Sequence, residues 1–262
     1  MNIDKILFTT DFGLSDHYVA VTKCSLLNSL IQTPPSRVQF VDVSHSVGRH
    51  NLRKAAYVAA VAAKHGGENS LSLVVVDPGV GTERKVVVYR TRSDGVFVAP
   101  DNGVLSLAYD WFPGECFTAE VQQGAASTTF HARDVFAPLA AKLIDGYDLQ
   151  QDFNPTPIDE VVNLELKQVE KTKDAIRAVV LYVDVFGNVI TNLPNGALSD
   201  GPLTISAHGH KYHAALARSY GHGGSGKLLV IAGSEGFYEM AVNRGSASRM
   251  LHVREGEVIE FA

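Results

Sequence analysis

The stretch that decides the fold is LVVVDPGVGTERK, Leu73–Lys85. A β-branched run ends at Asp77, turns through two glycines, and returns at Arg84. Because glycines tolerate positive φ values, a tight turn can bring Arg84 within reach of Asp77. Open α/β sheets bind ligands outside the carboxyl ends of their strands, so this pattern predicts an acid and a guanidinium aimed at one spot. Taken alone, it fits equally well an ordinary strand end with a capping acid and a solvated arginine.

Strands and helices alternate around this stretch through the first two thirds of the chain. The pattern predicts strands at Ile6–Thr10, at Val38–Val43 and before Asp77, helices at Tyr18–Ile31, Asn51–Lys64 and Asp134–Ile144, and a hairpin of Val86–Tyr89 with Val96–Ala99. This alternation is typical of an α/β fold, with a mainly parallel sheet flanked by helices.

The character of the sequence changes after Ile144. Two prolines interrupt Asp152–Pro157, and beyond Arg177 the helical spacing disappears. Short apolar runs then alternate with Gly, Pro and Asn: VVLYVDV, VITNL, LTISA, KLLVIA, FYEMAV and VIEFA. Such runs favour a small β-barrel or sandwich. We therefore predict an α/β domain at residues 1–165 and a smaller, all-β, barrel-like domain at residues 166–262.

Composition restricts the class of protein. Of 262 residues, 45% are hydrophobic and 19% are charged, as in a globular protein with a real core. The net charge of -5 argues against a general nucleic-acid binder and favours a small-molecule partner. Cys24 and Cys116 fit no metal spacing, and no leader or membrane-spanning run is recognisable. We expect a cytoplasmic protein without a membrane anchor.

Three suggestive motifs fail on their context. Gly221–Lys227, GHGGSGK, has phosphate-loop spacing, but Leu228 and an apolar strand follow it, so a hairpin loop is predicted. The histidines at 208, 210, 213 and 222 have no carboxylate or Cys at ligand spacing. Asp42–Ser46 contains pieces of a hydrolase triad, yet no nucleophile elbow is present.

Six segments, in this order, carry the strongest signal: TDFGLSD, VDPGVGTER, APDNGVL, FHARDVFAP, DVFGNVITN and SEGFYEMAVNRGSA. Together they resemble the S-adenosylmethionine hydroxide adenosyltransferase family, the hydrolytic relatives of the fluorinating and chlorinating enzymes. The resemblance extends from about Ile6 to Val258. It implies an α/β amino-terminal domain, a carboxy-terminal β-barrel, and a homotrimer with substrate at subunit interfaces. The implied reaction is cleavage of S-adenosylmethionine by water to adenosine and L-methionine, without metal or cofactor.

The resemblance also implies catalytic residues, namely Asp77, Arg84 and His131. Histidine is largely neutral at pH 7, so we expect His131 to accept a proton from the attacking water. Arg84 keeps its proton and is expected to polarise the water, while Asp77 orients Arg84.

Substrate-binding residues follow from the same resemblance. Asp11 is expected to accept both ribose hydroxyls, a role that suits a carboxylate with two oxygens. Asp16 and Asp184 fall on segments that meet the methionine ammonium.

The remaining binding positions lie in the second domain. Ser234 and the backbone around Glu235 are expected to face the methionine carboxylate, although the halogenating relatives have a cation where Glu235 stands. Phe186 and Asn188 match the adenine-contacting segment, and the backbone of Arg244 adds a further adenine contact.

Three other functions remain open at this point. A halogenase would use the same substrate, but the Asp77 carboxylate would repel an approaching halide. A nucleoside-binding module would return its ligand unchanged. A metal-dependent phosphoesterase could use Asp11, His45, Asp77 and His131.

Overall fold

The computed structural model describes residues 3–93, 95–121, 127–166, 168–199 and 201–262. The chain divides into two compact units, of which the first ends at Leu164 and the second comprises Glu165–Ala262. Nowhere in these ranges does a helix have the length and apolar character needed to cross a membrane.

The first unit is a sheet with helices. Its strands are β1 (Lys5–Thr10), β2 (Gln39–Ser44), β3 (Ser70–Val75), β4 (Val86–Thr91), β5 (Val96–Pro100), β6 (Gly114–Ala119) and β7 (Asn154–Thr156). Its α-helices are α1 (Tyr18–Asn28), α2 (Leu52–Gly66), α3 (Ser106–Trp111) and α4 (Ala137–Ile144). A π-helical turn, Ala132–Phe136, leads directly into α4, and 3-10 turns lie at Pro35–Arg37, Leu149–Gln151 and Ile158–Glu160.

The strand order in this sheet is β2-β1-β3-β5-β4-β6-β7. The strands β2, β1, β3 and β5 are parallel, and the remaining neighbours pair antiparallel. The predicted hairpin is β4 with β5, whose short connection can join only antiparallel strands. The α/β class is confirmed, with its helix-flanked parallel strands at one side of a mixed sheet.

Alternate residues of the central strand pack on opposite faces of the sheet. Leu73 and Val75 join a core layer that contains side chains of α1 and α4. Val74 and Val76 join a second layer with side chains of α2 and α3. Because β3 is covered on both faces, all six of its residues are buried, including Ser70 and Ser72.

Helix α2 shows how local sequence sets an element. The Asn51 side chain caps its start, with Oδ1 accepting from the Lys54 backbone N–H at 3.1 Å. Small buried residues such as Ala55, Ala56 and Ala59 let the helix approach the sheet closely. The helix ends before Gly67, whose φ of 78° suits glycine.

The second unit is a closed barrel. Its strands are β8 (Glu170–Lys171), β9 (Ile176–Val183), β10 (Val189–Pro194), β11 (Pro202–Ala207), β12 (His210–Ala217), β13 (Leu228–Ala232), β14 (Phe237–Val242) and β15 (Val258–Phe261). The helix α5 (Ala247–Leu251) follows β14, and a 3-10 turn lies at Tyr220–His222. Pairing of β10 with both β14 and β9 closes seven strands into a ring, and β8 lies beside β9. The predicted barrel is confirmed.

One local prediction is wrong. The strands β12 and β13 pair in parallel, so Gly221–Lys227 is part of a crossover and not a hairpin loop. Parallel neighbours require the chain to return to the same end of the sheet. Between β12 and β13 it does so through the Tyr220–His222 turn and the glycine-rich segment.

Candidate active site

The first candidate site lies where parallel strands end at one edge of the sheet. In the register of these strands, Thr10 at the end of β1 lies beside Val75 of β3, and Thr9 lies beside Ser44 of β2. Asp11, His45 and Asp77 therefore leave the sheet at the same edge. Ligand sites of open α/β sheets occupy this position.

Asp77 and Arg84 form a close ion pair across the turn after β3. Arg84 Nε lies 3.0 Å from both carboxylate oxygens, and Nη2 also donates to Oδ2. Only 8% of the Arg84 side chain and 6% of the Asp77 side chain are exposed. The turn is tight at Gly81, where φ is 80° and a Cβ would come within 2.4 Å of the Thr128 carbonyl oxygen. Glycine at this position lets the turn form as the sequence suggested.

His131 lies on the other side of the guanidinium. Its Nδ1 is 2.8 Å from Arg84 Nη2, and the histidine is buried. An arginine always carries its protons, so Nη2 donates and the Nδ1 lone pair accepts. The neutral ring then carries its hydrogen on Nε2. Burial and the charge of Arg84 lower the pKa of His131, against the opposite influence of Asp77 and Asp134.

The position of Arg84 is further fixed by packing. Its guanidinium carbon lies 5.0 Å from the centre of the Phe136 ring, at the end of the π-helical turn. The third nitrogen, Nη1, is buried and has no hydrogen-bond partner among the described residues. A buried donor without a partner is costly, so Nη1 is suited to a ligand or a water molecule.

Asp11 and Asp16 lie in the segment between β1 and α1. Asp11 is partly buried and its Oδ2 accepts from the His50 backbone N–H at 2.9 Å. Asp16 is exposed. Phe12 follows Asp11 in the sequence. The centre of its ring lies 6.1 Å from the centre of the ring of Phe130, the residue before His131. The structure therefore brings the Asp11 segment next to the His131 segment.

The second unit contains a separate cavity of about 920 Å³. Its lining includes four predicted substrate-binding residues: Asp184, Phe186, Asn188 and Arg244. Phe186 is 74% exposed and available for stacking.

Asp184 organises the turn that lines this cavity. Its Oδ1 accepts the backbone N–H groups of Phe186 and Asn188 at 2.9 and 2.8 Å, and its Oδ2 accepts from Asn188 Nδ2 at 2.8 Å. Gly187 in this turn has φ of 82°, and a Cβ there would come within 2.1 Å of Ser246 Oγ. The turn therefore needs glycine at this position, and Asp184 retains capacity for further bonds.

Two predicted substrate-binding residues of the second unit do not line the cavity. Ser234 and Glu235 lie between β13 and β14, where Ser234 Oγ donates to Glu235 Oε1 at 3.2 Å. Two residues that the sequence argument missed, Tyr220 and Arg249, do line it. Arg249 could have been found from Ser246, an N-cap residue whose Oγ accepts from the Arg249 N–H at 3.2 Å. Tyr220 had no local signal.

A second carboxyl group, that of Glu239, lies beside Tyr220. The Tyr220 hydroxyl donates to Glu239 on β14, next to the cavity lining. Burial and the nearby charge of Asp184 raise the pKa of Glu239. The cavity lining thus combines an exposed aromatic ring, one carboxylate and two arginines, a set that suits a polar aromatic ligand.

In the described parts of the chain, no three His, Cys, Asp or Glu side chains are grouped as a metal ion would require. Asp11, His45, Asp77 and His131 therefore do not converge as a ligand set, and the phosphoesterase hypothesis gains no support.

Comparisons with known proteins agree with these two units. Residues 6–152 match the SAM hydroxide adenosyltransferase N-terminal domain, and residues 178–260 match the C-terminal domain of that family.

Curated relatives cover nearly the whole chain. A protein of Salinispora tropica named (R)-S-adenosyl-L-methionine hydrolase is 37% identical over 96% of this chain and 95% of its own length. A protein of the same name from Thermus thermophilus is 34% identical over 96% of each chain. A fluorinase of Nocardia brasiliensis is more distant, at 23% identity.

A solved structure shows the same fold. The crystal structure of a conserved protein from Thermotoga maritima matches with a TM-score of 0.86 and 36% identity, over 98% of this chain and 99% of that one. The family resemblance inferred from six short segments is thereby confirmed. With both of its domains matched in order, the chain belongs to the SAM hydroxide adenosyltransferase family.

Proposed function

We propose that this protein hydrolyses S-adenosyl-L-methionine to adenosine and L-methionine, by in-line attack of water on C5′ of the ribose. Family membership supports the proposal, as do four curated relatives at 29–37% identity that are named (R)-S-adenosyl-L-methionine hydrolase. Their name specifies (R)-S-adenosyl-L-methionine, so we expect this protein to prefer the epimer with the (R) configuration at sulfur. The single observation that carries the mechanism is the placement of Arg84, which is held by Asp77 and His131 while its Nη1 has no hydrogen-bond partner among the described residues.

The proposed displacement at C5′ needs few catalytic groups from the protein. The water oxygen forms a bond to C5′ while the C5′–S bond breaks, and its electron pair stays on sulfur. Methionine leaves as a neutral thioether, so the step needs no acid, metal or cofactor. The oxonium formed by the attack is strongly acidic and loses its proton to solvent or to a carboxylate. Alignment and exclusion of bulk water are the main contributions left to the site.

Arg84 is assigned to holding the attacking water through Nη1. A free guanidinium would repel a sulfonium, but the Asp77 carboxylate balances its charge. The pair therefore presents a donor without a net positive charge. Since both side chains are largely buried, this donor has a fixed direction.

His131 is assigned to positioning Arg84, in place of the proton-acceptor role expected from the sequence. A neutral imidazole has one ring lone pair, and Arg84 Nη2 occupies the lone pair of His131. His131 is then a neutral acceptor that fixes the third side of the guanidinium.

Substrate binding is assigned to both units. Asp11 is proposed to accept the ribose hydroxyls and Asp16 to meet the ammonium group. In the second unit, Asp184 is proposed to serve the ammonium too, while Phe186, Asn188 and the Arg244 backbone hold adenine. Ser234 and Glu235 stay predictions for the carboxylate.

The assembly is proposed to be a cytoplasmic homotrimer with substrate at subunit interfaces. Family resemblance supports this arrangement. Large apolar side chains also stand exposed beside the candidate residues: Leu14, Val185 and Phe186 are 74%, 90% and 74% exposed. A partner subunit and bound substrate would remove this apolar surface from water.

Product analysis tests the reaction itself. The purified protein is incubated with each sulfur epimer of S-adenosylmethionine in ¹⁸O-water. Adenosine and methionine are expected, faster from the (R) epimer, with label in the adenosine 5′-hydroxyl, measured by mass spectrometry. Added chloride or a chelator should change nothing. A 5′-chloro nucleoside would indicate a halogenase, and recovery of substrate at the spontaneous rate would indicate a binding module.

Two substitutions separate the possible roles of His131. His131→Ala is expected to lower kcat about 10²-fold, because Arg84 loses an anchor and the water is misplaced. In His131→Asn, the amide oxygen stands near the Nδ1 position and can accept from Arg84, so kcat should stay within about tenfold of wild type. Steady-state kinetics measures both. Equal inactivity of the two variants would point back to a proton acceptor.

The pH dependence follows from the lowered pKa of His131. Protonation of Nδ1 would break its contact with Arg84, so kcat/KM should fall only at pH values below the ordinary histidine value of 6.5. The unfolded chain takes up this proton at higher pH than the folded one. The contribution of His131 to the free energy of unfolding is therefore fully present above pH 6.5, and it declines as the pH falls towards the lowered pKa of the folded state. Rate profiles and urea unfolding measure the two effects, and His131→Asn should remove both. An acid limb above 6.5 would contradict the assignment.

The proposed trimer predicts a solution mass of three times 28.2 kDa, measured by light scattering. Val185→Asp is expected to lower both this mass and the activity, because it would bury a charge at the interface. Ile31→Asp, at a residue that is 91% exposed, serves as the matched control. A monomeric and fully active wild type would refute the shared site.

A further inference from the structure

A second buried histidine lies near the candidate site, and the proposed mechanism does not use it. His45 follows β2, and only 2% of its side chain is exposed. Its ring packs edge-on against Phe8 of β1, with 5.0 Å between the ring centres. An imidazole this deeply buried needs partners for both ring nitrogens.

The partners of His45 form a network across three elements. Nδ1 lies 2.9 Å from Oγ1 of Thr10, and Nε2 lies 3.1 Å from Oδ1 of Asp42. The other Asp42 oxygen accepts from Lys23 Nζ at 2.7 Å. The approach of Nε2 to Asp42 has the distance of an ion-pair contact but not the alignment of a hydrogen bond. Burial acts to raise the pKa of Asp42, and Lys23 and His45 together hold it below its usual value.

This network ends at the turn that carries Asp11. The Phe12 backbone N–H donates to Thr10 Oγ1 at 3.3 Å, and the Gly13 N–H donates to the His45 carbonyl oxygen at 2.6 Å. His45 thus holds the segment Asp11–Gly13 twice, by its side chain through Thr10 and by its main chain. With the Phe12 N–H on Thr10 Oγ1, the threonine hydrogen is free to point at Nδ1.

The Asp11 carboxylate has one fixed contact of its own. Its Oδ2 accepts from the His50 N–H at 2.9 Å, and within the described residues no bond to Oδ1 is formed. The direction of Oδ1 therefore depends on the backbone of the turn. Because Phe12 also packs against Phe130, a shift of this turn would displace the residue that precedes His131.

We propose that His45 is a positioning residue for substrate recognition, which sets the Asp11 carboxylate to read the ribose diol through Thr10 and the Asp11–Gly13 turn. The inference rests on the proposed function, since it assumes that Asp11 accepts the ribose hydroxyls. His45 touches no substrate in this arrangement. Its removal should weaken binding of the diol and leave the bond-breaking step nearly intact.

Calorimetry with nucleosides tests the proposal without turnover. Wild type should bind adenosine more tightly than 2′,3′-dideoxyadenosine, which lacks the diol. In His45→Leu this preference should shrink about tenfold, because the turn is no longer held in one geometry. Affinity for 2′,3′-dideoxyadenosine should be unchanged. In kinetics with S-adenosylmethionine, KM should rise about tenfold at nearly constant kcat.

Three variants serve as controls. His45→Asn keeps an acceptor near the Nδ1 position and should retain most of the diol preference. Asp42→Asn, on a side chain that is 45% exposed, should shift the preference in the same direction by a smaller factor, and it carries the test where His45→Leu does not fold. Leu26→Ala removes a fully buried side chain of α1 and should lower stability without changing the preference.

Hydrogen exchange gives a readout that is independent of any ligand. The Phe12 amide should exchange faster in His45→Leu, because its acceptor Thr10 is no longer fixed. An unchanged diol preference in the folded His45→Leu and Asp42→Asn variants would overturn the inference. So would a wild type without any diol preference. A wild type that prefers adenosine but forms none from S-adenosylmethionine would instead refute the hydrolase proposal.

Discussion

The arrangement of the site depends on one guanidinium with fixed neighbours on three sides. Arg84 is held by the Asp77 carboxylate, by His131 Nδ1 and by the face of the Phe136 ring. These contacts leave Nη1 as a buried donor without a described partner. An arginine can be placed this deeply only because a carboxylate balances its charge and hydrogen bonds compensate for lost water. A rigid donor is the result, and its direction is set before any ligand arrives.

The sheet supplies the geometry that makes this possible. The parallel strands β1, β2 and β3 end at one edge, so Asp11, His45 and Asp77 emerge side by side from distant parts of the sequence. Core layers on both faces of β3 fix the strand that delivers Asp77. His131 arrives differently, from the segment that enters the π-helical turn before α4. Packed strands and helices therefore place the side chains of the site precisely, and the turn that contains Gly81 only brings Arg84 back to Asp77.

Histidine has two separate uses in this unit. His131 accepts from a cation and is held neutral, with its pKa lowered by burial and by Arg84. His45 lies between a threonine and an aspartate that is itself paired with Lys23. The two rings differ in their neighbours, and those neighbours decide which nitrogen carries the hydrogen. His131 is thus a hydrogen-bond acceptor for Arg84, whereas His45 links neighbouring elements of the fold.

The sequence by itself determined the fold class, the barrel-like second unit and the family. Alternating elements, the apolar run before Asp77 and six ordered segments are local patterns, and local patterns can be read directly from the sequence. It also predicted Arg84 within reach of Asp77, because a short turn with glycines can bring the two residues together. Tertiary structure decided what no spacing encodes: the lone pair of His131 directed at Arg84, the burial of Arg84 Nη1 without a partner among the described residues, and the link from His45 to the Asp11 turn. It also made β12 and β13 parallel and placed Tyr220 and Arg249 in the cavity. These features arise where segments distant in sequence meet, and the direction of a hydrogen bond is fixed only by that meeting.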